Sequence, residues 1–258
     1  GAYSNLPAGF YQISVTDSLS CSSDTTVEIT EVDELELIID LTNASCFGAT
    51  NGEVDIFASG GTAPYTYTVV GVGVQSSGIF SAMPAGTYQI SVEDSNNCTK
   101  DTIVTLGQPS QIVVLLDSSE DASCALFSDG NIFITALGGA SNPYTYVWDR
   151  NGLPYANTEN LTNLSAANYT VVVTDLDNCS SDSTTFIVNE PEALIVQLQN
   201  QQNVSCNGGG NAFLEVNAEG GTAPYTFQWS GASTSTDPLI EDLEAGDYTI
   251  TITDQENC

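Results

Sequence analysis

Apolar and polar residues alternate along many short stretches of this chain. Tyr88, Ile90 and Val92, for example, alternate with Gln89 and Ser91. Clusters of glycine, proline and asparagine separate these stretches. Period-two alternation bounded by such residues indicates half-buried antiparallel strands. No stretch has a helical period, so the sequence predicts an all-β chain.

One strand pattern returns along the chain at a nearly constant spacing. It opens with a tyrosine, continues with alternating apolar residues and ends in Asp-x-x-x-Cys. The four cysteines that close it are 77, 81 and 79 residues apart, at Cys21, Cys98, Cys179 and Cys258. A unit of about 80 residues has the size of one small domain.

The spacing divides the chain into four segments. Each full repeat contains about seven short strands, which predicts tandem immunoglobulin-like β-sandwich repeats that form a rod. The predicted segments are the C-terminal part of a preceding repeat (1–31, repeat 1), two full repeats (32–109, repeat 2, and 110–191, repeat 3), and a repeat that lacks its last strand (192–258, repeat 4).

Recurring aromatic residues fit this fold. Trp148 and Trp229 occupy the position of the core tryptophan on the third strand of an immunoglobulin-like domain, where repeat 2 has Val69. A tyrosine opens the penultimate strand of each repeat, as in a tyrosine corner. We expect structural roles for these residues, which include Tyr88, Tyr169 and Tyr248.

The charge of the chain excludes several classes of function. It has 33 acidic and 2 basic residues, no histidine, and a formal net charge of −31. Nucleic acids and anionic membranes repel such a chain. No apolar run has the length of a membrane span. Without histidine there is no Ser-His or Cys-His pair, so we expect no enzyme activity.

Seven cysteines at recurring positions indicate disulfides and an extracellular location. Two pairings are consistent with the repeats. The inter-repeat pairing joins the first cysteine of one repeat to the second cysteine of the next, as Cys46–Cys179 and Cys124–Cys258. The intra-repeat pairing is Cys46–Cys98, Cys124–Cys179 and Cys206–Cys258. We favour the inter-repeat pairing, because in an immunoglobulin-like sandwich the two turns of one repeat lie at opposite ends.

An aspartate precedes each repeat cysteine by four positions, and calcium is the candidate ligand there. Asp94, Asp175 and Asp254 recur in register, and Asp177 adds a nearby carboxylate. Calcium requires clustered oxygen ligands. The alternative is a turn in which each aspartate accepts local backbone amides. We expect no other cofactor.

The ordered motifs of the chain resemble the SprB-type repeats of large Bacteroidota cell-surface adhesins. In repeat 2 these are Ser-Cys-Phe-Gly at 45–48, Gly-Gly-Thr-Ala-Pro-Tyr-Thr-Tyr at 60–67, Ala-Gly-Thr-Tyr at 85–88 and Val-Glu-Asp-Ser-Asn-Asn-Cys at 92–98. The chain departs from the pattern at Ala167, where glycine is usual. The resemblance implies secretion by the type IX pathway and a role in adhesion, gliding or extracellular fibres.

Short Asp-Ser/Thr segments resemble the O-glycosylation motif of the same bacteria. Three of them follow the repeat cysteine in register. The candidate modified residues are Thr25, Thr102, Ser183 and Ser18.

Together these features predict a structural stalk or filament segment of a secreted bacterial adhesin, a load-bearing spacer stabilised by disulfides. The alternative is a repeated adhesive module that binds calcium or glycans. The expected partners are neighbouring repeats of the same protein, like chains in a filament, and glycans, with no nucleic acid and no membrane insertion.

Overall fold

The computed structural model describes residues 2–231 and 235–258. The regular secondary structure within these residues consists of β-strands, which confirms the predicted all-β fold class. The chain forms two compact units, Gly1–Pro109 and Ser110–Cys258. The boundary between the units coincides with the predicted boundary between repeats 2 and 3. Each sheet lies within one of the four predicted segments.

The first unit contains a two-stranded hairpin and a seven-stranded sandwich. The hairpin belongs to repeat 1 and pairs β1 with β2. Its strands and those of repeat 2 are β1 Gly9–Thr16, β2 Ser22–Ile29, β3 Glu36–Thr42, β4 Gly52–Ser59, β5 Thr66–Val69, β6 Gly73–Gln75, β7 Ile79–Met83, β8 Gly86–Glu93 and β9 Thr99–Leu106.

The sandwich of repeat 2 packs a three-stranded sheet, β3-β4-β7, against a four-stranded sheet, β6-β5-β8-β9. The fourth strand, β6, therefore joins the sheet of the third strand, whereas a constant-type immunoglobulin domain places its fourth strand in the other sheet. Alternate residues of β4 and β8, such as Val54, Ile56, Ile90 and Val92, face inward and are fully buried. Alternate side chains of a strand point to the same face, so the apolar positions of the period-two pattern form one hydrophobic core.

The second unit contains repeats 3 and 4. Repeat 3 repeats the three-plus-four arrangement as β10-β11-β14 and β13-β12-β15-β16. In repeat 4 the described residues form β17-β18-β20 and β19-β21. The strands are β10 Ser110–Glu120, β11 Gly130–Gly139, β12 Thr145–Arg150, β13 Leu153–Ala156, β14 Leu161–Leu164, β15 Ala167–Thr174, β16 Thr184–Val188, β17 Ile195–Gln202, β18 Ala212–Glu219, β19 Thr226–Ser230, β20 Leu239–Leu243 and β21 Thr249–Thr253.

The aromatic residues lie where the sequence places them. Trp148 and Trp229 are on the third strand of their repeats, and both are buried. Each indole Nε1 donates to a backbone carbonyl at 2.8 Å, that of Thr158 or Asp237. Buried tryptophan with a satisfied N–H is a core residue.

A tyrosine hydroxyl anchors the start of the penultimate strand in every repeat. It donates to the carbonyl four residues earlier, at 2.6 to 3.0 Å. This is the hydrogen bond of a tyrosine corner. The donors are Tyr11, Tyr88, Tyr169 and Tyr248.

No helix within the described ranges is long and apolar enough to span a bilayer.

Candidate functional site: the two cysteine turns of each repeat

The turn that carries the second cysteine of a repeat is organised by the aspartate four residues earlier. We call residues 94–98, 175–179 and 254–258 the second-cysteine turns. In repeat 2, Asp94 Oδ1 accepts the amides of Asn96 at 2.8 Å and Cys98 at 2.9 Å. Its Oδ2 accepts the amide of Thr62 at 2.8 Å. One carboxylate thus joins this turn to the Gly-Gly-Thr-Ala-Pro segment between β4 and β5.

The other repeats reproduce this arrangement. Asp175 Oδ1 accepts the amides of Asp177 and Cys179, and its Oδ2 accepts the amide of Ala140. Asp254 makes the corresponding bonds to Glu256, Cys258 and Thr222. All three aspartates are at most 4% exposed. They are buried polar groups whose hydrogen bonds are made by backbone amides.

These hydrogen bonds lower the pKa of each buried carboxyl group. For Asp94 the main cause is the amide of Cys98, followed by that of Thr62. For Asp254 it is the amide of Thr222. At Asp175 burial alone would raise the pKa, but the amides of the two turns outweigh it and the pKa is lowered. Donors to the ionised form stabilise it.

The aspartates are therefore turn-forming residues, which is the alternative interpretation of their recurrence. Their carboxylate oxygens point to backbone amides, and Asp177 contributes its amide to the same turn. In the part of the chain that the structure describes, no three Asp, Glu, Cys or His side chains gather as metal ligands do.

The first cysteine of each repeat lies in a different turn, between the first two strands. We call residues 43–51, 121–129 and 203–211 the first-cysteine turns. A side chain at the end of each turn accepts the amide of the serine that precedes the cysteine, at 3.0 Å. The acceptors are Asn51, Asp129 and Asn211, and the serines are Ser45, Ser123 and Ser205.

This turn is clamped to the segment that leaves the repeat after its last strand. In repeat 2 the amide of Ala44 donates to Gly107 O at 3.0 Å, and the amide of Gly107 donates to Asn43 Oδ1 at 2.8 Å. The amide of Gly48 donates to Gln108 Oε1 at 2.7 Å. The first-cysteine turn therefore lies at the C-terminal end of its repeat.

Repeat 3 has the same clamp. The amide of Ala122 donates to Asn189 O at 2.9 Å, and the amide of Leu126 donates to Glu190 Oε2 at 2.6 Å. The contacts of Gln108 and Glu190 are not predictable from either side chain alone. The signal that points to them is a Gln/Glu-Pro pair at the same place after the last strand of both repeats.

The second-cysteine turn lies at the opposite end, beside the segment that enters the repeat. In repeat 4 the amide of Gly221 donates to Glu192 O at 2.7 Å. Gly220 has a φ of 75°, and a Cβ built on it would lie 2.1 Å from Ala193 O. Only glycine permits this backbone conformation and this close approach together. Asp254 accepts the amide of Thr222, the residue after Gly221, and so joins the second-cysteine turn to the glycine segment that contacts the entering residues.

Opposite ends of consecutive repeats meet at a junction, and a disulfide crosses it. Cys124, in the first-cysteine turn of repeat 3, is bonded to Cys258, in the second-cysteine turn of repeat 4. Their Cα atoms are 5.7 Å apart, although the residues are 134 positions apart in sequence. This is one of the two bonds of the inter-repeat pairing.

The intra-repeat pairing is not the one in the structure. Cys98 and Cys206 are exposed free thiols, as is Cys21. The bonds Cys46–Cys98 and Cys206–Cys258 are therefore absent, and Cys124 bonds to Cys258 instead of Cys179. The physical reason is that the two cysteines of one repeat lie at opposite ends of its sandwich. Cys46 and Cys179 are each disulfide-bonded, and their pairing with one another stays a prediction.

The candidate glycosylation residues differ in accessibility. Ser18, Thr25 and Ser183 are exposed, whereas Thr102 is half-buried. Thr102 lies on β9 in the register of Val104 and Leu106, whose side chains belong to the core. Modification at these residues stays a prediction.

Comparison with solved structures finds tandem β-sandwich proteins at low identity. Three N-terminal domains of the bacteriophage RB49 Highly Immunogenic Outer Capsid protein match with 12% identity and a TM-score of 0.43, over 76% of this chain and 75% of that chain. Immunoglobulin domains 1–5 of Sidekick-1 match with 12% identity and a TM-score of 0.36, over 97% and 64%. The fibronectin(III)-like modules of Clostridium thermocellum CbhA match with 14% identity and a TM-score of 0.27, over 60% and 95%.

Comparison of sequences is more specific. No curated protein matches the chain. Residues 38–73 and 198–234 match the family model of the SprB repeat, a repeat of cell-surface proteins. The two matched segments begin at corresponding places in repeats 2 and 4, at the first strand of each. Two segments of the chain are thus similar to the SprB repeat, and the repeats that contain them have the immunoglobulin-like β-sandwich fold.

Proposed function

We propose that this chain is a load-bearing spacer, a stalk or filament segment, of a secreted bacterial adhesin. The observation that carries the proposal is the disulfide between Cys124 and Cys258. It joins the C-terminal end of repeat 3 to the N-terminal end of repeat 4 by a covalent bond beside the linker.

Such a bond changes the path that tension takes through the molecule. Force that enters before Cys124 and leaves after Cys258 passes through the two sulfur atoms. The residues between them lie on a covalent loop that carries no load. Unfolding of that loop then does not lengthen the segment, so the spacer keeps its length under tension.

The linker itself is held on both sides of the junction. Asn189 and Glu190 bond to the first-cysteine turn of repeat 3, and Glu192 bonds to Gly221 of repeat 4. Pro191 lies between these two anchors and restricts the backbone further. The short linker and the disulfide together support a stiff junction rather than a flexible tether.

The proposal assigns the protein no catalytic role and no resident cofactor. The absence of histidine from the sequence supports the first point. The engagement of Asp94, Asp175 and Asp254 by backbone amides supports the second. We further propose type IX secretion and neighbouring repeats of the same protein as the principal partners.

Junction stiffness can be measured with spin labels on repeats 3 and 4. Exposed Thr162 on β14 and Thr251 on β21 are suitable label positions, introduced after Cys21, Cys98 and Cys206 are changed to serine. We expect a narrow distance distribution that broadens in the Cys124→Ser, Cys258→Ser variant. Equal widths in the two proteins would show that the disulfide does not fix the junction.

A further inference from the structure

The first-cysteine turns place a serine hydroxyl beside the cysteine sulfur. The distance from Oγ to Sγ is 3.7 Å between Ser123 and Cys124 and 4.0 Å between Ser205 and Cys206. A hydroxyl hydrogen that points to a sulfur stabilises negative charge on it. That charge appears when a disulfide is cleaved and the sulfur leaves as a thiolate.

The hydrogen of the serine hydroxyl is used differently in the two repeats. In repeat 4, Asn211 Nδ2 donates to Ser205 Oγ at 2.9 Å, so the serine oxygen is an acceptor there and its own hydrogen remains available to the sulfur. In repeat 3, Asp129 stands in place of the asparagine and has only acceptor oxygens when ionised. Ser123 Oγ donates its one hydrogen to Asp129 Oδ2.

The ionisation of Asp129 is consistent with this assignment. The hydrogen bond from the Ser123 hydroxyl is the main cause that lowers its pKa, and the Ser123 amide adds to it. The carboxylate therefore stays charged near neutral pH. A fixed negative charge next to Cys124 also opposes the formation of a second one on the sulfur.

We propose that Asp129 is a positioning residue that slows thiol–disulfide exchange at Cys124–Cys258, by drawing the Ser123 hydroxyl hydrogen away from the Cys124 sulfur. The inference rests on the proposed junction disulfide and adds to it a residue that protects the bond against reduction.

Asp129 slows the step in which the Cys124 sulfur leaves the disulfide. Cys124 is only 3% exposed, so we expect the external thiol to attack the sulfur of Cys258. The thiolate of an external dithiol attacks Cys258 Sγ and forms a mixed disulfide, while the S–S bond breaks and Cys124 Sγ leaves as a thiolate. The second thiol of the reductant then attacks the reductant sulfur in the mixed disulfide, and Cys258 leaves as a thiolate. The protein disulfide gains two electrons and the dithiol is oxidised to a cyclic disulfide.

The test is the rate at which dithiothreitol reduces this one bond in the full chain, followed by alkylation and mass spectrometry of the peptides that contain Cys124 and Cys258. We expect Asp129→Asn to be reduced about three- to tenfold faster than the wild type. It should fold normally, because Asn51 and Asn211 make the same bond to the serine amide in the sister repeats. Asp117→Asn, the same charge change on an exposed residue of the same repeat, should leave the rate unchanged.

A second variant separates the hydrogen bond from the charge. Adding Ser123→Ala to Asp129→Asn removes the hydroxyl, and we expect the rate to return towards that of the wild type. Equal rates for Asp129→Asn and the wild type would overturn the proposal, as would a double variant as fast as Asp129→Asn alone. Failure of this inference appears as equal reduction rates, whereas failure of the proposed function appears as equal spin-label distance distributions with and without the disulfide, so the two outcomes are distinguishable.

Discussion

Asp254 Oδ1 accepts the backbone amide of Cys258 at 2.9 Å, while its Oδ2 accepts the amide of Thr222 at 2.7 Å. Cys258 is in turn bonded to Cys124 of the preceding repeat. One buried carboxylate therefore connects the inside of repeat 4 to the covalent link across the junction. Asp254 thereby positions Cys258 for a partner outside its own repeat.

Asp254→Asn should loosen the second-cysteine turn of repeat 4. The amide nitrogen of asparagine is a donor, so it cannot accept from both Thr222 and Cys258 as the carboxylate does. We expect hydrogen exchange of the Thr222 amide to accelerate roughly tenfold or more. The matched control is Asp17→Asn, because among the described residues the amides that donate to the Asp17 carboxylate all belong to its own turn. Unchanged protection at Thr222 would contradict the role assigned to Asp254.

Acid should weaken the fold through these aspartates. The folded pKa of Asp94, Asp175 and Asp254 lies below the ordinary value, so their contribution to stability is complete above the unfolded pKa of about 3.9 and is lost as the pH falls through the folded pKa. Melting temperatures should therefore drop between pH 5 and pH 2 more steeply for the wild type than for a variant with asparagine at all three positions. Parallel curves would show that these carboxyl groups do not couple folding to protons.

The disulfide should stabilise the second unit against denaturant. Cys124→Ser opens a covalent loop of 134 positions, and we expect a loss of about 2–5 kcal/mol in the free energy of unfolding. Both tryptophans of the chain, Trp148 and Trp229, lie in this unit and report its unfolding in urea by fluorescence. Cys206→Ser is the control, because Cys206 is a free exposed thiol. Equal losses in the two variants would contradict a structural role of the bond.

The tyrosine corner of repeat 3 should make a smaller contribution to the free energy of unfolding than the disulfide does. Tyr169 is fully buried, and its hydroxyl donates to Ser165 O at 2.9 Å. Tyr169→Phe leaves that carbonyl without its donor and should cost about 1 kcal/mol in the same urea titration. Tyr3→Phe, at a residue that is 81% exposed, should have no effect. A Tyr169→Phe variant as stable as the wild type would contradict a stabilising role of the Tyr169 hydroxyl.

The local pattern of the sequence was enough to predict the all-β fold and the core aromatics. Period-two alternation marks Ile90 and Val92 as inward-facing, and both are fully buried. The recurring tyrosine and tryptophan positions match the structure for the same reason, since each depends on neighbours within one strand or turn. The opposite location of the two cysteine turns also followed from strand order alone.

Contacts between distant segments could not be predicted from the sequence. The second oxygen of Asp94 bonds to Thr62, 32 positions away, and Gln108 reaches Gly48, 60 positions away. Neither pair has a local pattern that distinguishes it from other polar residues of an acidic chain. A carboxylate that binds a cation and one that accepts amides look alike in sequence, so the recurrence of Asp94 alone does not distinguish them, and calcium binding there stays a prediction. The short strand β6 was also missed, since its three residues are too few to show a period.

Force spectroscopy on repeats 3 and 4 tests the load path most directly. With handles attached through non-natural residues at Ser110 and after Cys258, tension crosses from Cys124 to Cys258 while the bond is intact. We predict that the Cys124→Ser, Cys258→Ser variant gains about 450 Å more contour length on unfolding than the oxidised protein. The difference corresponds to the sequence separation of 134 between the two cysteines, because the chain between them cannot extend while the disulfide is intact. The same released length in both proteins would contradict the claim that the disulfide carries load across the junction.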